Sequence, residues 1–161
     1  MNGGIGLLRM PLKLTWDDLV IQNLPESDAL VWLESWSGRI TGKVAPVFIS
    51  KFGDWFLRRP DGSTDEFSVI DGTYSKLAGT PDEFSALVNS ATWHEQHLLS
   101  RQVLELHERG IIPQPGQCYG FAPHPALSGR IDIAHAMLMD IGVWQYICAQ
   151  LFNGSGTTKM G

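Results

Sequence analysis

Between Val44 and Ala78, short apolar runs with a period of two are separated by turn signals. That pattern confines the chain to folds built on an antiparallel meander. Val47-Phe48-Ile49 reads as one strand, Phe52-Gly53-Asp54 as a turn, and Trp55 to Arg59 as a second strand. In Pro60-Asp61-Gly62-Ser63, the proline fixes φ and the glycine accepts a positive φ, which together predict a tight turn. Phe67 to Ile70 reads as a third strand. Asp71-Gly72 suits a type I′ hairpin turn, which needs two positive φ values, and Thr73 to Ala78 pairs back.

Helical patterns flank the meander. Thr15 precedes Trp-Asp-Asp, with acidic residues at the positive end of a short helix. A second helix starts at Pro25 to Asp28, with Leu30, Leu33 and Trp36 inward and Gly38 as its stop. Thr80-Pro81-Asp82-Glu83 supplies an N-cap, a first-turn proline and a capping-box glutamate ahead of Phe84, Leu87 and Val88. A further helix is predicted from Trp93 to Arg109, with Leu99, Val103 and Leu106 inward and Gly110-Ile111 closing it. The last third reads as a turn at Pro113 to Gly116, a strand from Gln117 to Ala122 and an exposed loop at Pro123-His124-Pro125 and Ser128-Gly129. A strand from Ala134 to Met139 and a helix from Ile141 to Phe152 follow. That helix is apolar nearly all round, so it is buried or covered by a partner. The expected fold is a single α+β domain over residues 15–153: an antiparallel sheet, meander plus C-terminal strands, packed with helices. Residues 1–14 and 154–161 are expected to be flexible.

Twelve basic against seventeen acidic residues give a net charge of −5. With no dense basic stripe, the chain is expected not to bind nucleic acid, because phosphate recognition needs clustered Lys and Arg. An acidic protein is instead drawn to a basic partner. Cys118 and Cys148 are too few for a disulfide framework and lack metal-ligand spacing, so they read as buried thiols. No signal peptide is evident, and a cytoplasmic location is expected. The apolar run Ile131–Phe152 is interrupted by Asp132, His135, Asp140, Gln145 and Gln150. A carboxylate near the middle of a membrane span costs about 2.5–3.5 kcal/mol, so a buried strand and helix explain the run better.

Catalytic motifs fail on spacing. His94 and His97 flank Glu95-Gln96 at i and i+3, whereas the zinc-protease helix needs i and i+4 with the glutamate beside the first histidine. His107, ten residues on, is rotated off their face. There is no nucleophile elbow, Walker loop or dinucleotide fingerprint, and no cofactor is expected. Asp54 to Glu83 carries seven acidic and three basic residues. Asp54, Asp61, Asp65, Glu66 and Asp71 fall at predicted turns and strand ends. They read as solvated carboxylates, and as the candidate contacts to a basic partner. Their convergence into a catalytic pair stays open. The six tryptophans read as core, and any that is exposed is a binding candidate.

Gly116-Gln117-Cys118-Tyr119-Gly120-Phe121, followed by Pro123, Ala126-Leu127 and Gly129, resembles the C-terminal domain of type VI secretion DNase-immunity proteins. Phe52 to Phe56, Pro60-Asp61-Gly62, Ala78 with Asp82-Glu83-Phe84, Leu138-Met139-Asp140 and the closing apolar helix recur in that family's order. The resemblance covers Leu30 to Phe152. Many relatives carry a further domain ahead of this one, and the family motif brings no catalytic set. The motif itself reads as structural: Gly116 and Gly120 allow turns or close backbone approach, and Tyr119 and Phe121 are expected on alternate faces of a strand.

The resemblance implies tight binding of a cognate secreted nuclease, which prevents self-intoxication. The leading expectation is therefore an immunity-type binder and not an enzyme, with no contact to nucleic acid or membrane. Two alternatives stand beside it. One is an oligomeric scaffold or regulatory module, such as a homodimer through the 141–152 helix. The other is a small enzyme with a carboxylate or histidine site.

Overall fold

The computed structural model describes residues 13–158, with side chains described as far as Gly154. Most of the two segments expected to be flexible, residues 1–12 and 159–161, lie outside the described residues. The elements run α1 (Trp16–Leu19), β1 (Val20–Ile21), α2 (Glu26–Glu34), β2 (Ala45–Ser50), β3 (Trp55–Arg58), β4 (Thr64–Phe67) and β5 (Tyr74–Ala78). They continue with α3 (Pro81–Val88), α4 (Ala91–His97), α5 (Ser100–Glu108), β6 (Gln117–Phe121), α6 (Pro125–Ser128), a 3₁₀ turn at Ile133–His135, β7 (Ala136–Asp140) and α7 (Ile141–Thr158).

The meander forms as an antiparallel sheet in the order β1-β2-β3-β4-β5. The two C-terminal strands form a sheet of their own, β6 against β7. The architecture is thus an α+β domain with two antiparallel sheets packed against helices.

Both faces of the meander are covered because its strands alternate apolar groups in both directions. Phe48 and Phe56 pair across one face and meet Trp16 of α1, Phe84 of α3 and Trp93 of α4, with ring centroids 5.2–6.0 Å apart. On the other face, Trp55 and Phe67 pair and lie under Trp36 and α7. The small sheet docks through a backbone bond from Tyr119 N–H to Lys51 C=O, 2.8 Å, and through Phe52.

Several expectations are corrected. β4 is Thr64–Phe67, not Phe67 to Ile70. The Ser68 hydroxyl accepts from the N–H groups of Ile70 and Asp71, turning the chain early. The hairpin is closed by a longer loop, Ser68 N–H to Thr73 C=O, in which Gly72 has positive φ and Asp71 does not. The helix expected over 93–109 is two helices broken at Leu98-Leu99, with Leu99 left-handed at φ +53°. Leu98, fully buried, takes the inward position expected for Leu99. Leu30 points outward at 60% exposure, while Ala29 fills the core. Among the described side chains of α7, Ile141, Trp144, Gln145, Cys148 and Ala149 are buried, and Val143, Tyr146 and Ile147 are exposed. Tyr119 and Phe121 do not lie on alternate faces: residues two apart in a strand share a face, and both rings meet Phe52. Among the described residues, no helix is long and apolar enough to cross a membrane.

Candidate functional site

Adjacent strand residues point to opposite faces, and this divides the five meander carboxylates. Asp65 lies on the Trp55 face. Its Oδ2 accepts from Arg59 Nε at 3.0 Å and from the Tyr74 hydroxyl at 2.5 Å. Arg59 also donates to the Tyr74 hydroxyl and to the Thr41 carbonyl, so this group clamps the meander to the preceding loop. Burial, then the bond to Asp65, pushes the Tyr74 hydroxyl up to about 12. Asp61 stays exposed in its turn, where Oδ1 accepts from the Ser63 N–H and hydroxyl.

Glu66 projects to the other face and, with Asp54 and Asp71, lines a cavity of about 220 Å³. Gln96 and His97 from the end of α4, and Leu99 at the helix break, line it from the helical side; Ser68, Ile131 and Ser75, the cross-strand partner of Glu66, also line it. The break after Leu98 ends α4 there and turns the chain into α5. Glu66 Oε1 meets His97 Nδ1 at 2.7 Å, and the His97 ring stacks on Trp93 at 5.0 Å. That pairing leaves Nε2 as the histidine's other working atom. Asp54 is 6% exposed, and its Oδ1 accepts the Val69 N–H at 2.8 Å. Burial, and then the nearby Glu66 charge, holds its carboxyl well above the usual carboxylate range, against the opposing Val69 bond. The cavity therefore offers a carboxyl whose pKa burial raises, a histidine–glutamate pair and a rim carboxylate.

The reading of all five as solvated turn carboxylates is corrected. Asp54, Asp65 and Glu66 are buried, and each is engaged within the chain; only Asp61 and Asp71 are exposed. His94 does not share a site with His97, because its Nε2 donates to the Val88 carbonyl at 2.6 Å. Among the described residues, no three His, Cys, Asp or Glu side chains are grouped to hold a metal ion.

The motif residues occupy β6 and its flanks. Gly116, φ +86°, turns into the strand. Gln117 Oε1 accepts from Gln114 N–H at 2.9 Å, and Tyr119 donates its hydroxyl to the Ile111 carbonyl at 2.5 Å. Cys118 and Cys148 are buried free thiols, both pushed up by burial. Gly120 lies against Trp144, and Gly129, φ +86°, ends α6. His124, expected in an exposed loop, is 4% exposed. It stacks on Trp144 at 5.3 Å and bonds the Val69 carbonyl through Nε2 at 3.0 Å. Local sequence gave no sign of this contact, since Val69 is distant in the chain. The His97–Glu66 pair was equally invisible, although a histidine ending a helix beside an aromatic is a weak pointer.

These features define an α+β domain in which most of the meander carboxylates are absorbed by internal contacts, and one small acidic cavity gathers Asp54, Glu66 and His97. Residues 79–152 match the model of the family described as T6SS immunity protein Tdi1, C-terminal. This is the type VI secretion immunity group to which the Gln117–Phe121 block pointed. The chain is also similar to the crystal structure of Atu4351 from Agrobacterium tumefaciens, with a TM-score of 0.54 and 15% identity. The match covers 93% of this chain and 75% of that one, and at this identity it bears on the fold alone. No curated protein matches the chain by sequence.

Proposed function

We propose that this protein is an immunity-type binder that sequesters a cognate type VI-secreted nuclease in the cytoplasm, acting by occupancy and not by catalysis. The observation that carries the reading is the family match over residues 79–152, which takes in α3 to β7 and much of α7. Charge supports the nuclease assignment. A DNA-cleaving toxin needs a basic surface, and a chain of net charge −5 is attracted to that surface while being repelled by DNA. The test is co-purification with, and inhibition of, the nuclease encoded beside this gene. A stoichiometric complex that weakens with salt is expected; absence of binding to that nuclease sinks the reading.

A second reading rests on the convergence of Asp54, Glu66 and His97 at one cavity. A histidine oriented by a carboxylate, beside a carboxyl whose pKa burial raises, suits acid–base chemistry. Under that reading, Glu66→Gln abolishes a turnover that the folded protein otherwise shows. Under the binding reading, Glu66→Gln leaves toxin protection intact.

A further inference from the structure

β1 covers only Ser50 and Ile49 of β2, then the chain turns away at Asn23, left-handed at φ +54°, and enters α2. Among the described residues, no strand pairs with Ala45, Pro46 and Val47 on that side. The first turns of α2 stand over them, enclosing a groove of about 400 Å³. Seven of its nine lining residues are apolar, Leu24, Ala29, Leu30, Val44 and Pro46 among them, and Glu26 supplies a carboxylate. Leu30 and its neighbour Val31 are 60% and 64% exposed. On a helix, residues four apart share a face, so Glu26 and Glu34 sit one turn to either side of Leu30. Both glutamates are exposed, Asp28 adds a third acid, and α2 carries no basic residue. Lys43, Arg58 and Arg59 line an adjoining depression that shares Val44 and Ala45 with the groove, so the acidic side of the groove is its α2 wall.

We infer that this groove is the toxin-docking face. It seats a projecting apolar side chain of the nuclease, while Lys or Arg on the same surface lie against Glu26 and Glu34. The inference rests on the immunity reading and adds the face and the partner's chemistry to it. A desolvated apolar centre with a charged rim is the usual anatomy of a hot spot, and the acidic rim complements the basic surface of a nuclease. A second copy is a poor occupant. An isologous contact centred on Leu30 would bring the Glu26 and Glu34 carboxylates of the two copies against one another.

The test uses the full chain and a catalytically inactive form of the nuclease encoded beside this gene, with binding measured by calorimetry at several salt concentrations. Leu30→Ser and the pair Glu26→Lys/Glu34→Lys are each expected to weaken binding about tenfold or more. The double variant should also flatten the salt dependence. Glu108→Lys, the same charge change on α5, is expected to bind as wild type. All of these positions are exposed, and thermal melts of each variant, expected to show folded proteins at the binding temperature, separate loss of contact from loss of fold. If wild type binds and both groove variants bind equally well, the face is wrong and the immunity reading stands. If wild type fails to bind, both fall. A homodimer by light scattering that Leu30→Ser dissolves would assign the groove to a second copy and overturn the inference.

Discussion

Gln145 accepts the indole N–H of Trp55 at 2.9 Å through an Oε1 that also accepts the Trp36 indole at 2.8 Å. Its Nε2 donates to the Gly53 carbonyl at 2.8 Å, so one amide on α7 satisfies three buried groups of the meander and its covering segment. Gln145→Leu keeps the volume and orphans two donors and an acceptor. Each orphan costs about 1–3 kcal/mol, so a total loss of about 3 kcal/mol or more is expected in urea unfolding. Trp55→Phe leaves the Trp36 bond in place and should cost less. Equal stability of Gln145→Leu and wild type would contradict this role.

Gly120 and Gly116 belong to one motif but are glycine for different reasons. A Cβ on Gly120 would lie 2.7 Å from Met139 Cε and 2.9 Å from Trp144 Cε3. The methionine end can move, but the fully buried indole cannot, and such overpacking costs about 1–3 kcal/mol. Gly116 has open space around it and only its positive φ to protect, worth about 1 kcal/mol. Thermal melts should therefore rank Gly120→Ala as more destabilising than Gly116→Ala. The reverse order would mean that Trp144 can give way.

The meander was readable because its information is local: alternation between Val44 and Ala78, and a proline–aspartate–glycine turn. Its edges were not, because Ser68 competes for the backbone through its hydroxyl and ends β4 early. The break at Leu99 has no glycine or proline to announce it. It lets Trp93 on one helix, Leu98 at that helix's C-cap, and Val103 and Leu106 on the next helix all be buried. A straight helix carries one such stripe, so tertiary packing overrode local propensity. The site was least legible. Asp65 and Glu66 are neighbours in sequence and look like one acidic patch, yet strand alternation sends one to Arg59 and the other to His97. The docking groove likewise depends on where β1 stops.

His124 is held in one neutral tautomer. Nε2–H donates to the Val69 carbonyl, and Nδ1 accepts the Ala126 N–H at 3.0 Å, so a proton on Nδ1 would break the second bond. Burial depresses its pKa below 6.5, against the Val69 bond. Because the unfolded chain takes up the proton first, the stability from this residue is complete above about 6.5 and is lost as pH falls through the folded value. Urea unfolding at pH 7.5 and 5 should show that loss in wild type and a smaller one in His124→Gln. A histidine nitrogen spectrum showing Nδ1 protonated at pH 7 would refute the assignment.

Asp54 works in the opposite sense on the backbone of the same residue, since Val69 donates its N–H to Asp54 and accepts from His124 through its carbonyl. Its folded pKa is raised, by burial first and by Glu66 second, so the folded chain keeps a proton that the unfolded chain releases near 3.8. Stability therefore falls as pH rises from that value towards the folded one, by about 1.4 kcal/mol per pH unit across that interval. Asp54→Asn retains an acceptor for the Val69 N–H and removes the charge. The variant should melt above wild type at pH 8, with a narrower gap at pH 5. A gap that stays constant with pH, or a variant that melts lower at pH 8, would show that Asp54 is ionised in the fold. If the variant is more stable and yet fails to protect against the toxin, the strained carboxyl is retained for binding, a common trade of stability for function.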